Sequence, residues 1–290
     1  MRSSQTQVCI PHSENWDIQA PNGEHYIIQI SWPRHWTDSD LSAGKQALVI
    51  RYIVDGNALF MTATEAAWRR ATGPHYSGGG IVVAIGYPLE GQVYDKQRRA
   101  FDMTPPCPGA TAQFGGANAF LDFIRQNVRE LVRSKFPQLS ITREALFGHS
   151  YGGLFVLHAL FTCPSLFDCY MASSPSIEWV DYYVLKEEKE YTEKSDLSAP
   201  SLMMFFGSYE QDPPRWHGET KEHYDERKDV AKARGTGVNI KKMRKRLQNS
   251  EKLAAVTLNE YEGEDHGSVM ACAMSRALTT FFEDWPLDGN

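Results

Sequence analysis

Three side chains, far apart along the chain, have the types and settings of an acyl-transfer centre. Ser150 lies in Gly148-His149-Ser150-Tyr151-Gly152, a G-x-S-x-G pentapeptide placed between the short apolar run Ala145 to Phe147 and an apolar helical run that starts at Gly153. A serine hydroxyl is a poor nucleophile at neutral pH and needs a base. Of the histidines, His266 alone falls after the last predicted strand and before the last predicted helix, where a base that follows the nucleophile in chain order belongs. The acid that holds the imidazole is expected in the turn Gly207 to Pro214, where Glu210 is favoured for its nearness to the preceding strand and Asp212 is the alternative. Asp265 and Glu264, beside the histidine, are weaker candidates, and if no turn carboxylate reaches His266 the site is a Ser/His dyad. His149 is expected to point away from the serine and to be structural.

The pentapeptide is itself a structural statement. A nucleophile elbow turns sharply from strand to helix, strains the serine backbone, and requires small residues on both sides. Gly148, Gly152 and Gly153 supply them. The turn lifts Ser150 above the sheet and aims the Tyr151 amide at the place where an oxyanion develops. A second amide is expected from Asp55-Gly56-Asn57, that of Asn57, unless this turn merely ends a strand.

The elements needed to carry these residues follow in order. His25 to Trp32 alternates and predicts an opening antiparallel edge strand; Ala47 to Val54, Ile81 to Tyr87 and Ser201 to Phe206 are near-continuous apolar runs, as in strands buried on both faces. Phe167 to Ser173 and Ala254 to Tyr261 complete the predicted strands. Helices are predicted over Thr62 to Ala71, stopped by Gly73-Pro74, over Ala117 to Phe136, after the elbow, and over Val269 to Phe282. Pro88 to Gly116 reads as a long connection that covers a site. Lys186 to Asp196 reads as solvated, and Val238, Met243 and Leu247 as a buried stripe. The fold class expected is α/β, about eight strands in a mostly parallel, doubly wound sheet, as one domain over residues 1–290.

Composition sets the outer bounds. A formal charge of -6 among 290 residues argues against nucleic acid or an anionic membrane as a partner. Ten Lys or Arg against four Asp or Glu between Lys221 and Arg246 make that stretch net +6, read as helix surface before any role in attracting an acidic ligand. The 5 cysteines form no C-x-x-C pair, so neither a zinc site nor a disulfide framework is expected. No run has the apolar length of a signal or membrane segment, and a cytoplasmic location is expected.

Taken together, these residues resemble the esterase D branch of the α/β-hydrolases, and within it the siderophore esterases that open trilactone iron chelators. The resemblance rests on Tyr52 to Asn57, Ile85-Gly86-Tyr87-Pro88, Arg98-Arg99 with Phe101 to Pro105, Gly148 to Phe155, Ala172 to Ser176 and Gly207 to Gln211. It implies ester hydrolysis through an acyl-serine at Ser150, with His266 as base and Glu210 at the acid position. Lacking a periplasmic signal, the chain is most similar in character to eukaryotic esterases of hydroxamate trilactones such as the fusarinines. A bulky, nearly neutral ferric trihydroxamate would suit a wide cleft bordered by Tyr87, Tyr151 and Trp179, with Arg98 and Arg99 as clamps for its oxygens unless they are simply solvated. No cofactor or protein-held metal is expected, since iron arrives with the substrate. The rival expectations are a trans-acting thioesterase or acyltransferase, a general or feruloyl-like carboxylesterase, and a non-catalytic ligand-binding relative.

Overall fold

The computed structural model describes residues 9–43, 47–72, 79–195, 198–283 and 286–287. Its strands are β1 Ser13–Gln19, β2 His25–Ser31, β3 Ala47–Val54, β4 Ile81–Gly86, β5 Ser140–His149, β6 Cys169–Ser173, β7 Ser201–Gly207 and β8 Ala255–Tyr261. They form one sheet in the order β1-β2-β4-β3-β5-β6-β7-β8. From β4 to β8 every pairing is parallel, while β1 with β2 and β2 with β4 are antiparallel.

Helices cover the sheet: α1 Asp38–Ala43, α2 Gly56–Thr72, α3 Lys96–Asp102, α4 Ala117–Phe123, α5 Arg129–Lys135, α6 Tyr151–Thr162, α7 Trp179–Tyr182, α8 Val184–Glu193, α9 Lys221–Arg234, α10 Thr236–Ser250 and α11 Val269–Glu283. Strand residues alternate between two apolar cores. Tyr52, Val54, Val83, Ile85 and Leu146 join one, with α6 and α10; Ile53, Ala84, Ala145 and Phe147 join the other, with α2 and α11. That two-residue alternation with both faces buried is why the strands read as continuous apolar runs.

Several expectations are corrected. The opening strand is β1, too polar to be read, and β2 lies inside the sheet between β1 and β4. Helix α2 starts at Gly56, immediately after β3, so Asp55-Gly56-Asn57 is a strand-to-helix junction; the predicted stop at Gly73-Pro74 lies outside the described residues. The 88–116 connection contains α3, capped by Asp95, whose carboxylate accepts from the Gln97 and Arg98 amides. The predicted 117–136 helix holds a π-helical turn, Ile124–Val128, between α4 and α5. Helix α8 is not wholly solvated: Glu187 and Glu188 are buried, bonded to His158 at 2.8 Å and Arg246 at 2.6 Å. In α10 the buried stripe is Ile240, Met243 and Leu247, with Val238 left exposed.

Because β3 to β8 are parallel, their carboxyl ends share one edge of the sheet. Asp55, Ser150, Ser174, Glu210 and His266 all follow those ends.

Candidate active site

Ser150 is the residue between β5 and α6, with φ of 58° and ψ of −116°. That backbone is sterically costly for any residue with a side chain. It is held by hydrogen bonds on either side: the Ser150 amide donates to Ser173 O at 2.9 Å, and Ser150 O accepts from the Leu154 amide at 2.9 Å. A Cβ on Gly148 would collide with the Gly152 carbonyl, and one on Gly153 would lie 2.8 Å from Ser173 O. The small residues are therefore demanded by contact between β5, α6 and β6. Tyr151, first residue of α6, has an amide with no carbonyl one turn back to receive it, as at every helix start.

The candidate base is carried by the loop after β8 and the candidate acid by the turn after β7. His266 Nδ1 lies 2.7 Å from Glu210 Oε2. The other oxygen of Glu210 accepts from the Gly207 amide at 2.9 Å and from Ser174 Oγ at 2.6 Å. Glu210 is buried with two donors on its other oxygen, and a carboxylate facing His266 only accepts, which fixes the imidazole proton on Nδ1. Nε2, the other ring nitrogen, is then free to receive a proton. Asp212 is exposed, and Asp265 turns its carboxylate back on the amides of Gly267 and Ser268, both at 2.8 Å. Those bonds lower its pKa.

Ser150 and His266 border the same two cavities. One, of about 460 Å³, is mostly apolar and is walled by Tyr94, His149, Tyr151 and Met270; the other, of about 300 Å³, is polar, with Ser174, Ser176, Glu178 and Arg234. The serine hydroxyl makes no hydrogen bond to His266, and catalytic hydrogen bonds of this kind often tighten only in the complex with substrate.

His149 packs against His266. Its ring lies 4.5 Å from that of His266, centroid to centroid, and its Nδ1 is 3.0 Å from Ser173 Oγ. Burial first, then the neighbouring His266 and Arg99, push its pKa well below the ordinary imidazole value, so it backs the base as a neutral ring. The strand alternation predicts the direction of neither His149 nor Ser150, because the chain leaves β geometry between them.

The binding residues read from the sequence divide. Arg99 borders both cavities beside Ser150. Its Nε and Nη2 grip Asp55 at 2.9 and 2.8 Å, and this bonding outweighs the burial that opposes its charge, raising its pKa. Asp55 is buried with φ of 58°, so the pair fixes the β3–α2 junction while Arg99 Nη1 carries no bond to protein. Arg98 is turned elsewhere, to His25 O at 2.6 Å and over the ring of Tyr26. Tyr87 is buried, its backbone clasped by the Asn57 side chain at 2.7 and 2.9 Å, and lines neither cavity. Trp179 is 8% exposed and packs edge-on against Phe114. Asn57 likewise lines neither cavity; its amide opens α2. Sequence reasoning passed over Ser174, which braces the acid, and Glu178. Burial raises the pKa of Glu178, whose Oε2 has no hydrogen-bond partner.

Comparison with known proteins places the chain among esterases. Residues 20–256 match the sequence profile of the family described as "Putative esterase", a span that includes Ser150 and Glu210. The chain is 54% identical over 284 residues, 97% of both proteins, to a siderophore triacetylfusarinine C esterase of Aspergillus fumigatus. It is 42% identical over 278 residues, 91% of both proteins, to a siderophore enterobactin esterase of Emericella nidulans. The solved structure of siderophore hydrolase EstB from Aspergillus nidulans superposes with a TM-score of 0.94 at 51% identity, covering 99% of each chain.

Proposed function

The chain belongs to the esterase family and has its α/β-hydrolase fold, and from that premise we propose that it is a serine esterase hydrolysing the ester bonds of a cyclic trilactone siderophore of the hydroxamate class. The observation that carries the substrate is the 54% identity, over 97% of both chains, to a triacetylfusarinine C esterase.

In this reading Ser150 Oγ attacks the ester carbonyl carbon while His266 Nε2 takes its proton. The oxyanion sits on the Tyr151 amide. The acyl C–O bond breaks, the alcohol leaves with the proton from His266, and an acyl-serine remains. Water, deprotonated by the same imidazole, releases the acid and restores Ser150. Glu210 keeps the proton of His266 on Nδ1 throughout, supported by the 2.7 Å contact. Arg99 Nη1 is available to a carbonyl or chelator oxygen of the substrate. Iron enters as cargo, and its release inside the cytoplasm follows from loss of the ring. Among the described residues no helix is long and apolar enough to cross a membrane.

The test is chromatography with mass detection after incubation with ferric and iron-free triacetylfusarinine C and a tricatecholate trilactone, with Ser150→Ala as control. Linear trimer, dimer and monomer from the hydroxamate, with wild type only, is the expected result. An intact hydroxamate ring beside rapid turnover of a simple aryl ester would leave a general carboxylesterase and remove the siderophore assignment.

A further inference from the structure

A third cavity, of about 590 Å³, opens on the far side of His266, between that residue and α9. Helix α9 has no buried residue, so it contributes nothing to either core. It is nonetheless firmly built. Glu219, before its first turn, accepts from Arg227 Nε and Nη2 at 2.7 and 2.8 Å and from the Trp216 amide at 2.9 Å, and His223 Nδ1 lies 2.7 Å away. The Arg227 bond holds the Glu219 carboxyl down at about 2. The clamped guanidinium lies 3.6 Å from the centre of the Trp216 ring. Trp216 still remains 52% exposed and borders the cavity, with Pro213 and Val230. An indole held by a guanidinium and still half-exposed is a stacking surface.

The charges on the wall are unequal in their freedom. Arg227 is committed to Glu219, and Asp265 to the amides of Gly267 and Ser268. Glu226 is exposed. Arg234, the last residue of α9, has no carboxylate within ion-pair distance among the described residues, and it borders both this cavity and the polar cavity at Ser150.

We propose that this cavity is a second subsite, and that its ligand is the opened, carboxylate-terminated chain that the enzyme itself produces. The inference rests on the reading of Ser150 as the nucleophile of a cyclic-polyester esterase. Each hydrolysis adds one water across an ester, breaking the acyl C–O bond and leaving a carboxylate on one end of the chain and a hydroxyl on the other. The intact ring has no such carboxylate. Arg234 stands between the reacting serine and the third cavity, where it holds the new anion while a planar, uncharged unit of the chain rests on Trp216. The subsite thereby favours the second and third cleavages over release of a half-degraded chelator.

The test separates ring from chain. For the full chain, kcat and KM are measured with ferric triacetylfusarinine C and with its purified linear trimer, using Arg234→Gln, Trp216→Ala, Trp216→Phe and, as a surface-charge control, Lys232→Gln. Arg234→Gln is expected to raise KM for the linear trimer about tenfold more than KM for the ring, so that linear trimer and dimer accumulate. Trp216→Ala raises KM for the linear trimer about fivefold and more than for the ring, Trp216→Phe restores most of the loss, and Lys232→Gln behaves as wild type. Equal effects of Arg234→Gln on ring and chain, or none on either, overturn the proposal. Calorimetric binding of the linear trimer to Ser150→Ala, with and without Arg234→Gln, gives a readout independent of turnover. Equal affinity there also overturns it, whereas a wild type that leaves the ring intact refutes the siderophore-esterase reading instead.

Discussion

Replacing Glu210 with glutamine changes one oxygen to an amide nitrogen and little else. The oxygen that accepts from Gly207 and Ser174 is doubly anchored, so the glutamine carbonyl stays there and its NH2 group occupies the position facing His266 Nδ1. An NH2 group is a donor only, and the imidazole meets it by accepting at Nδ1 and carrying its proton on Nε2. The lone pair that should deprotonate Ser150 is then gone. In serine hydrolases an acid-to-amide change of this kind costs about 10⁴ in kcat. That corresponds to about 5 kcal/mol of barrier. Glu210→Ala leaves the ring free to choose its tautomer, so it should be less damaging than Glu210→Gln despite removing more atoms. Asp212→Asn should be neutral, since Asp212 is exposed and does not meet the histidine. The assay is steady-state turnover of a small aryl ester, which needs none of the distant subsites, with circular dichroism to check folding. A Glu210→Gln enzyme within tenfold of wild type, or an Asp212→Asn enzyme more impaired than Glu210→Gln, would refute the assignment of the acid.

Other perturbations test the scaffold. Gly148→Ala must push α6 away from β5, because the new methyl falls on the Gly152 carbonyl; a loss of about 3 kcal/mol or more in urea unfolding and near-complete loss of turnover are expected. Arg51 is fully buried under Phe281 and Phe282, with Nε and Nη1 unbonded and burial pulling its pKa down to about 9. Arg51→Met removes an incompletely satisfied interior charge and is expected to stabilise the fold by roughly 1–4 kcal/mol, read from the thermal midpoint. Asp102, raised to about 6 chiefly by burial, binds its proton more tightly folded than unfolded. Its contribution to stability is therefore fully present below the ordinary value near 4, declines through the window from about 4 to 6, and is lost above it. Asp102→Asn should remove that decline, so wild-type stability should fall relative to the variant by roughly 2–3 kcal/mol between pH 4 and 7 in parallel denaturant titrations.

What could be read from residues alone follows physical lines. The parallel strands are legible because burial on both faces leaves an apolar run, as in Ile81 to Gly86, and Ser150 because its turn tolerates only small flanks. Strand β1 is not legible, since an outer ribbon such as SENWDIQ needs only one neighbour and little apolar cover. The proximity of His266 to Glu210 follows from strand order and chain position. Other side chains depend on rotamer and loop path, which have no period. Thus the paired arginines diverge, Arg99 into the cleft and Arg98 against Tyr26, and Trp179 sinks into the core. Helix α9 was legible only as charge, because a helix that lines a cavity without burying anything has no apolar stripe.

The place of β8 gives the proposed catalytic residues unequal tenure. It is an outermost strand, paired within the sheet with β7 alone and half-exposed over much of its length, whereas Ser150 and Glu210 follow interior strands. Edge elements open at lower free energy than the middle of a sheet. Detachment of β8 would carry His266 off while leaving the nucleophile and the acid where they stand. The enzyme should thus possess a reversible idle state, in which warming or mild denaturant suspends turnover before the helical content changes, and cooling returns the missing imidazole to a partner that has kept its place.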